Sequence, residues 1–170
     1  FKNTIAHLSL IATNIDGYKK IVELSSKSYL ENDNLNEPHC DLEELFNIKS
    51  GVVVLTGSVK GLFGVLLSKG LDTEIKDLLV KLKNHLKKNL YLEIQRHNDM
   101  DEKRFENFLL KKSHDLNIPI IASHEVFYLD KNMHEAHDAL ICIGQKTYIN
   151  EKNRLKYSDQ HYFKSTEEMK

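Results

Sequence analysis

Three short polar clusters each follow an apolar run in this 170-residue chain: Thr56-Gly57-Ser58, Gln95-Arg96-His97 and Ser123-His124-Glu125. Imidazole and carboxylate are the usual ligands of Zn and Mn, and both also move protons. His97, His124 and Glu125 are therefore candidates for a metal site. Nine histidines in the chain are a mild enrichment in the same direction. Loop residues making ordinary hydrogen bonds satisfy the same spacing, and spacing alone leaves both readings open. His134 and His137 stand three apart and share one helix face. Their HEAH lacks the HExxH spacing of a metal-binding helix. His137 lies beside the apolar stripe Ala136, Leu140 and Ile143, which fits a hydrogen-bonded histidine at a core edge. Cys142 on the same helix reads as packed rather than reactive.

Strands must deliver those clusters. Apolar runs at 8–12, 52–55, 90–94 and 118–122 suit short buried strands. Helical spacing joins Tyr18, Ile21, Val22, Ser25 and Tyr29 in a helix ending near Leu30, followed by a polar loop at 31–38. Asp41 and Glu44 have capping-box spacing for a short helix through Phe46. A glycine-punctuated helix follows at 62–69. Asp72 then caps a long helix with the stripe Ile75, Leu78, Leu79, Leu82 and Leu86. Lys81, Lys83, Lys87 and Lys88 lie around its other side and read as a solvated face, because no aromatics are interleaved for nucleic acid. Asp99 and Glu102 cap the next helix, which turns Phe105, Phe108, Leu109 and Leu116 inward and stops at Asn117. Asn132 and Glu135 have capping-box spacing for the helix that carries His134. The βα unit thus occurs four times. That order predicts an α/β fold of parallel strands with crossover helices, an open sheet or a barrel, whose strand ends gather the polar clusters on one face.

Composition excludes several classes. Hydrophobic residues at 41% and charged residues at 29% are globular values, and a net charge of −1 gives the whole chain no footprint for nucleic acid. No apolar run approaches the ~20 residues that span a bilayer, and no signal peptide pattern is visible. GxGxxG, GxxxxGK[ST] and GxSxG are all missing from the strand ends. Cys40 and Cys142 lack CxxC spacing and read as free thiols in a reducing cytosol. The chain opens on Phe1 rather than Met, and Ser165 and Glu168 have capping-box spacing for a helix with no residues left to run. The expectation is a piece of a longer protein.

Longer segments carry a resemblance. His7-Leu8-Ser9-Leu10-Ile11-Ala12-Thr13-Asn14 with Gly17-Tyr18 resembles the HLxLLAxN..GY segment of the bacterial DNA polymerase III alpha-subunit family. LYLEIQRH, from Leu90 to His97, is similar to YLELQRH, and IPIIASHEVFYL, from Ile118 to Leu129, is similar to IPLVATNDVHYL. The run from Ala136 to Ile143 and the closing Tyr162 to Met169 follow in the same order. The resemblance implies a partial PHP domain over residues 1–170, an incomplete distorted β/α barrel of the PHP type, lacking its N-terminal strands and the downstream polymerase domains. Active members of that family hold a metal cluster and cleave phosphodiesters as a 3′–5′ exonuclease. The resemblance also implies that the polymerase carboxylates and their Mg lie outside this chain, so that no catalytic residue is expected within it.

Ligand positions carried over from the resemblance give a mixed set. His7 matches a histidine ligand and Glu125 stands for an aspartate, one methylene longer. Ser58 stands where metal-binding members have cysteine, and Phe127 where they have a final histidine. Phenylalanine cannot coordinate and a serine hydroxyl is a far weaker ligand than a thiolate. His7 and Glu125 are therefore vestigial candidates, with His97 and His124 behind them, and the resemblance argues against Zn or Mn in the PHP site. It further implies a structural or partner-docking role in a cytoplasmic replicative polymerase. Its partners would be the other holoenzyme subunits and a separate proofreading exonuclease, with DNA and deoxynucleotides reached through the parent protein and no membrane involved. The alternatives are a working metal-dependent phosphoesterase or exonuclease using His7, His97, His124 and Glu125, and a free-standing PHP phosphatase. Isolated, the 170 residues are expected to aggregate through open sheet edges.

Overall fold

The computed structural model describes residues 4–32 and 37–170, so the expected loop at 31–38 lies partly outside the described residues. Four strands, β1 (Ser9–Ala12), β2 (Val52–Leu55), β3 (Leu90–Ile94) and β4 (Ile120–Ala122), form one sheet in the order β1-β2-β3-β4. β2, β3 and β4 run parallel, as crossover helices require. β1 does not: it pairs antiparallel with β2, Ser9 opposite Leu55 and Ala12 opposite Val52. The expectation of parallel strands throughout is corrected on that point. The reason lies in the connection. Helix α1 (Ile15–Leu30) carries the chain back past β1, and β2 then starts at the end that β1 left, where the Thr13 N–H donates to the Gly51 carbonyl (2.8 Å). The reversal puts the N-terminal end of β1, with His7, at the face where β2, β3 and β4 finish. Among the described residues β1 and β4 are the sheet edges and no closed barrel forms.

Two local features seat α1. Asn14 takes an extended backbone and its Oδ1 accepts from the Gly17 N–H at 2.9 Å, satisfying a first-turn donor. Gly17 itself lies against Gly51, where a Cβ would stand 1.7 Å from the Gly51 carbonyl oxygen, so no side chain fits. Asn14→Ala is expected to cost about 1 kcal/mol, read as faster amide exchange in the first turn of α1.

The core lies between the sheet and helices α2 (Leu62–Ser68), α3 (Asp72–Leu86) and α4 (Glu102–Leu116). The full α3 stripe is buried, with Ile75, Leu79 and Leu82 wholly so, against Phe63 and Leu66 of α2 and the inward residues Val54, Leu90 and Leu92. Phe105 and Leu109 bury α4 in the same core. Caps differ from expectation. Leu71 rather than Asp72 precedes α3, and Asp72 occupies the first turn, where its charge suits the helix dipole. Asp41 starts a 3-10 turn, Leu42–Asn47, through its carbonyl and not its side chain. Helix α5 (His134–Gln145) begins after Met133, so Asn132 and Glu135 make no box. Ser165 and Glu168 do make one, each side chain bonding the other's backbone N–H at 2.9 and 3.3 Å. The expected core-edge stripe of α5 is corrected outright: Leu140 and Ile143 are exposed, and Cys142 is the buried residue of that helix.

Candidate functional site at the strand ends

The three polar clusters meet, and a carboxylate that the clusters do not contain ties them. Glu93, inside β3, is 4% exposed. Its Oε2 accepts from the Gly57 N–H at 3.0 Å, and its Oε1 from Gln95 Nε2 at 3.3 Å and from the Ser123 hydroxyl. The Glu93 N–H in turn donates to Thr56 Oγ1 at 2.9 Å, and Gln95 Nε2 to Ser123 Oγ at 2.9 Å. Gly57 turns its N–H toward the carboxylate with φ of 80°, a left-handed conformation that glycine takes without strain. Ends of β2, β3 and β4 are thus held together by one buried acceptor.

Above this knot the imidazoles form a column. His97 is 2% exposed and stacks between His124 (centroids 4.5 Å) and His161 (4.2 Å, 5° between planes). His161 stacks in turn on Phe127 (4.8 Å), and Phe127 on His137 (5.4 Å, 10°). Tautomers follow from the partners. The Glu125 N–H donates to His97 Nε2 at 3.1 Å, so the proton of His97 sits on Nδ1, 3.2 Å from Glu102 Oε1. Glu102 also accepts from the His97 and Asp99 N–H groups, at 2.8 and 3.1 Å, which is the part of the expected Asp99–Glu102 cap that forms. His161 Nδ1 donates to the Glu125 carbonyl at 3.2 Å, and its Nε2 is buried without a partner. His124 Nε2 donates to the Tyr162 carbonyl at 3.0 Å. Burial, with the neighbouring His161 and His124 second, pushes the His97 pKa down to about 4. Burial also lowers His161 and His124, the latter with help from Lys164. A neutral, stacked column is what these shifts describe.

The closing segment completes the packing. Phe127 N–H donates to the His161 carbonyl (2.9 Å), Phe163 N–H to the Tyr128 carbonyl (3.0 Å), and the Tyr128 hydroxyl to the Ser158 carbonyl (3.1 Å). Ser158 bonds the His97 carbonyl. Arg154, 4% exposed at its side chain, grips Asp138 of α5 with two bonds of 2.6 and 2.7 Å. The strand-end column is therefore filled rather than hollow. Two clefts, of about 330 and 770 Å³, lie elsewhere, beside α2 and α4 and between α1 and β1, and Glu93, His97, Phe127 and His161 line neither.

The remaining candidates are scattered around this centre. His7 is exposed, and its carbonyl accepts from the Leu62 N–H (2.9 Å) in a bridge to Gly61. Ser58 turns its hydroxyl to the Lys60 N–H at 3.3 Å. The Glu125 side chain is half exposed, 3.8 Å from His161 Nδ1. Arg96 points away, paired with Glu106 at 2.7 and 3.0 Å. His134 Nε2 bonds the Tyr157 carbonyl at 3.0 Å. Among the described residues no three histidine, cysteine, aspartate or glutamate side chains are arranged to hold a metal ion. Both cysteines are free thiols, Cys40 exposed and Cys142 buried. No helix among the described residues is long and apolar enough to cross a membrane.

Parallel strand ends that gather histidines and carboxylates on one face are where α/β folds place their functional sites. The chain belongs to the PHP domain family, whose profile matches residues 2–97. Across nearly its whole length it is similar to DNA polymerase III subunit alpha of several bacteria. It is 33% identical over 168 residues to that of Rickettsia prowazekii, 29% over 163 residues to that of Caulobacter vibrioides, and 32% over 164 residues to that of Borreliella burgdorferi. These alignments cover 96–99% of the chain but 14% of each relative, so the chain spans about one-seventh of their length.

Proposed function

We propose that this chain is part of the alpha subunit of a bacterial replicative DNA polymerase, and that its PHP domain serves as a scaffold whose metal chemistry has lapsed. The observation that carries the second half is Phe127. At the position where the family resemblance implies a histidine ligand, an aromatic ring with no ligand atom stacks between His161 and His137. The other donors agree. Ser58 closes its own turn, and both nitrogens of His97 are already engaged. Such a set does not suit a multinuclear Zn or Mn site.

In this reading the domain belongs to the distorted PHP-type barrel, and the Mg-dependent transfer of deoxynucleotides resides in parts of the polypeptide outside residues 1–170. The scaffold packs within a cytoplasmic holoenzyme and docks its other subunits, a separate proofreading exonuclease among them. The similarity to alpha subunits along 99% of the chain supports it. The test uses the full-length subunit, single-stranded DNA and added Mn or Zn. We expect 3′–5′ hydrolysis no greater than that of Glu125→Ala, alongside primer extension with Mg. Hydrolysis abolished by His7→Ala or Glu125→Ala would overturn the scaffold reading, and a subunit unable to extend a primer would overturn the polymerase reading.

A further inference from the structure

β2, β3 and β4 run parallel, so all three start at the end of the sheet opposite the imidazole column, and α3 and α4 both finish there. Val54 pairs with Leu90 and Leu92 with Ile120, which sets the residues just before each strand side by side. His85, near the end of α3, bonds the Ile48 carbonyl ahead of β2 at 2.8 Å, and Lys83 Nζ donates to the Leu116 carbonyl at the end of α4. The segments 47–51, 78–89 and 107–117 that reach this corner hold seven lysines and one carboxylate, Asp115, in a chain whose net charge is −1. Along the sequence the lysines of α3 read as a solvated helix face. Folding adds Lys49 and the lysines of α4 to them.

Two of the seven are committed within the fold. Lys83 holds the Leu116 carbonyl, and Lys112 Nζ lies over Phe108, 5.0 Å from the ring centroid. Lys49, Lys81, Lys87, Lys88 and Lys111 are exposed, and among the described residues none of them forms an ion pair. Lys87 also ends α3 with φ of 53° and ψ of −114°, a backbone that glycine takes freely and lysine does not. Strained positions of this kind gather where a side chain is used.

We propose that Lys49, Lys87 and Lys88, flanked by Lys81 and Lys111, form a contact surface for the phosphate backbone of duplex DNA. Lysine is depleted at the centres of protein–protein interfaces, whereas it is a principal phosphate contact in nucleic-acid complexes. The duplex is favoured over a single strand because base stacking needs free aromatic rings. Phe46 is stacked with His85 and Phe108 lies under Lys112, so neither is free. The proposal deepens the polymerase reading and rests on it for the identity of the polyanion.

The salt dependence of DNA binding by the full-length protein tests it, on a duplex closed by hairpin loops at both ends, which offers no primer terminus. Each phosphate contact contributes ~0.9 to the slope of log K against log salt. Lys49→Gln, Lys87→Gln and Lys88→Gln combined should therefore reduce that slope by about 2–3. Lys19→Gln, Lys152→Gln and Lys156→Gln combined remove the same charge from exposed positions elsewhere and should leave it unchanged. An unchanged slope in the first variant overturns the proposal, as does a loss confined to single-stranded DNA. Equal losses in the two variants overturn it as well, because net charge and not this corner would then set the affinity. Primer extension by the unsubstituted protein is read separately: its absence sinks the polymerase reading and leaves the slopes to be compared.

Discussion

Glu93→Ala should destabilise the domain by about 3–5 kcal/mol, among the largest effects of any single substitution in the chain. Two costs add. Truncation removes the acceptor of the Gly57 N–H and of the Ser123 hydroxyl, and it opens a void where β2, β3 and β4 converge. Glu93→Gln should cost less, about 1–3 kcal/mol, because the amide keeps one acceptor oxygen but turns a donor toward a donor. Slow amide exchange in β3 of the full-length protein measures both. Equal exchange in Glu93→Ala and the unsubstituted protein would mean that the strand ends are held some other way.

The second large effect is acid sensitivity. In an unfolded chain His97 titrates near ~6.5, whereas burial holds it at about 4 when folded. Between those values the unfolded chain binds a proton that the folded chain does not, so stability falls as pH falls through the window and is flat above it. His97 alone should contribute a loss on the order of 2–3 kcal/mol between pH 7 and pH 4. His161 and His124, also shifted down, act in the same direction. Protonating His97 Nε2 would also set a donor against the Glu125 N–H. The midpoint of thermal unfolding at pH 7.5 and pH 5 is the measurement. His97→Gln, which can still donate to Glu102 and accept from Glu125, should flatten the dependence.

Much of this was legible in the residues. The α3 stripe is a run at helical spacing whose burial follows from periodicity, and β2 and β3 are short β-branched or leucine runs between turns. The meeting of the three polar clusters followed from alternating strands and helices. The reversed β1 was not legible, since a strand's direction depends on the end of the sheet at which the next strand starts, and no local pattern encodes that. The site's centre was also missed, for two different reasons. Glu93 left a signal, a lone carboxylate within the apolar LYLEI, where a buried charge demands partners. His161 left none: it sits in an irregular stretch between Gln160 and Tyr162, and only the path of the closing segment puts its ring against His97. The α5 stripe was read correctly as apolar and wrongly as covered, because periodicity states which face wants burial and not what buries it.

The scaffold reading turns on whether the strand ends of the complete subunit still hold metal. Purified without chelator and analysed for Zn, Mn and Fe, the full-length protein should carry well under one ion per chain, unchanged by His7→Ala or Glu125→Ala. Two or more ions per chain, lost on either substitution, would contradict it and return Glu125 to the role of a ligand beside a Phe127 that merely borders the site.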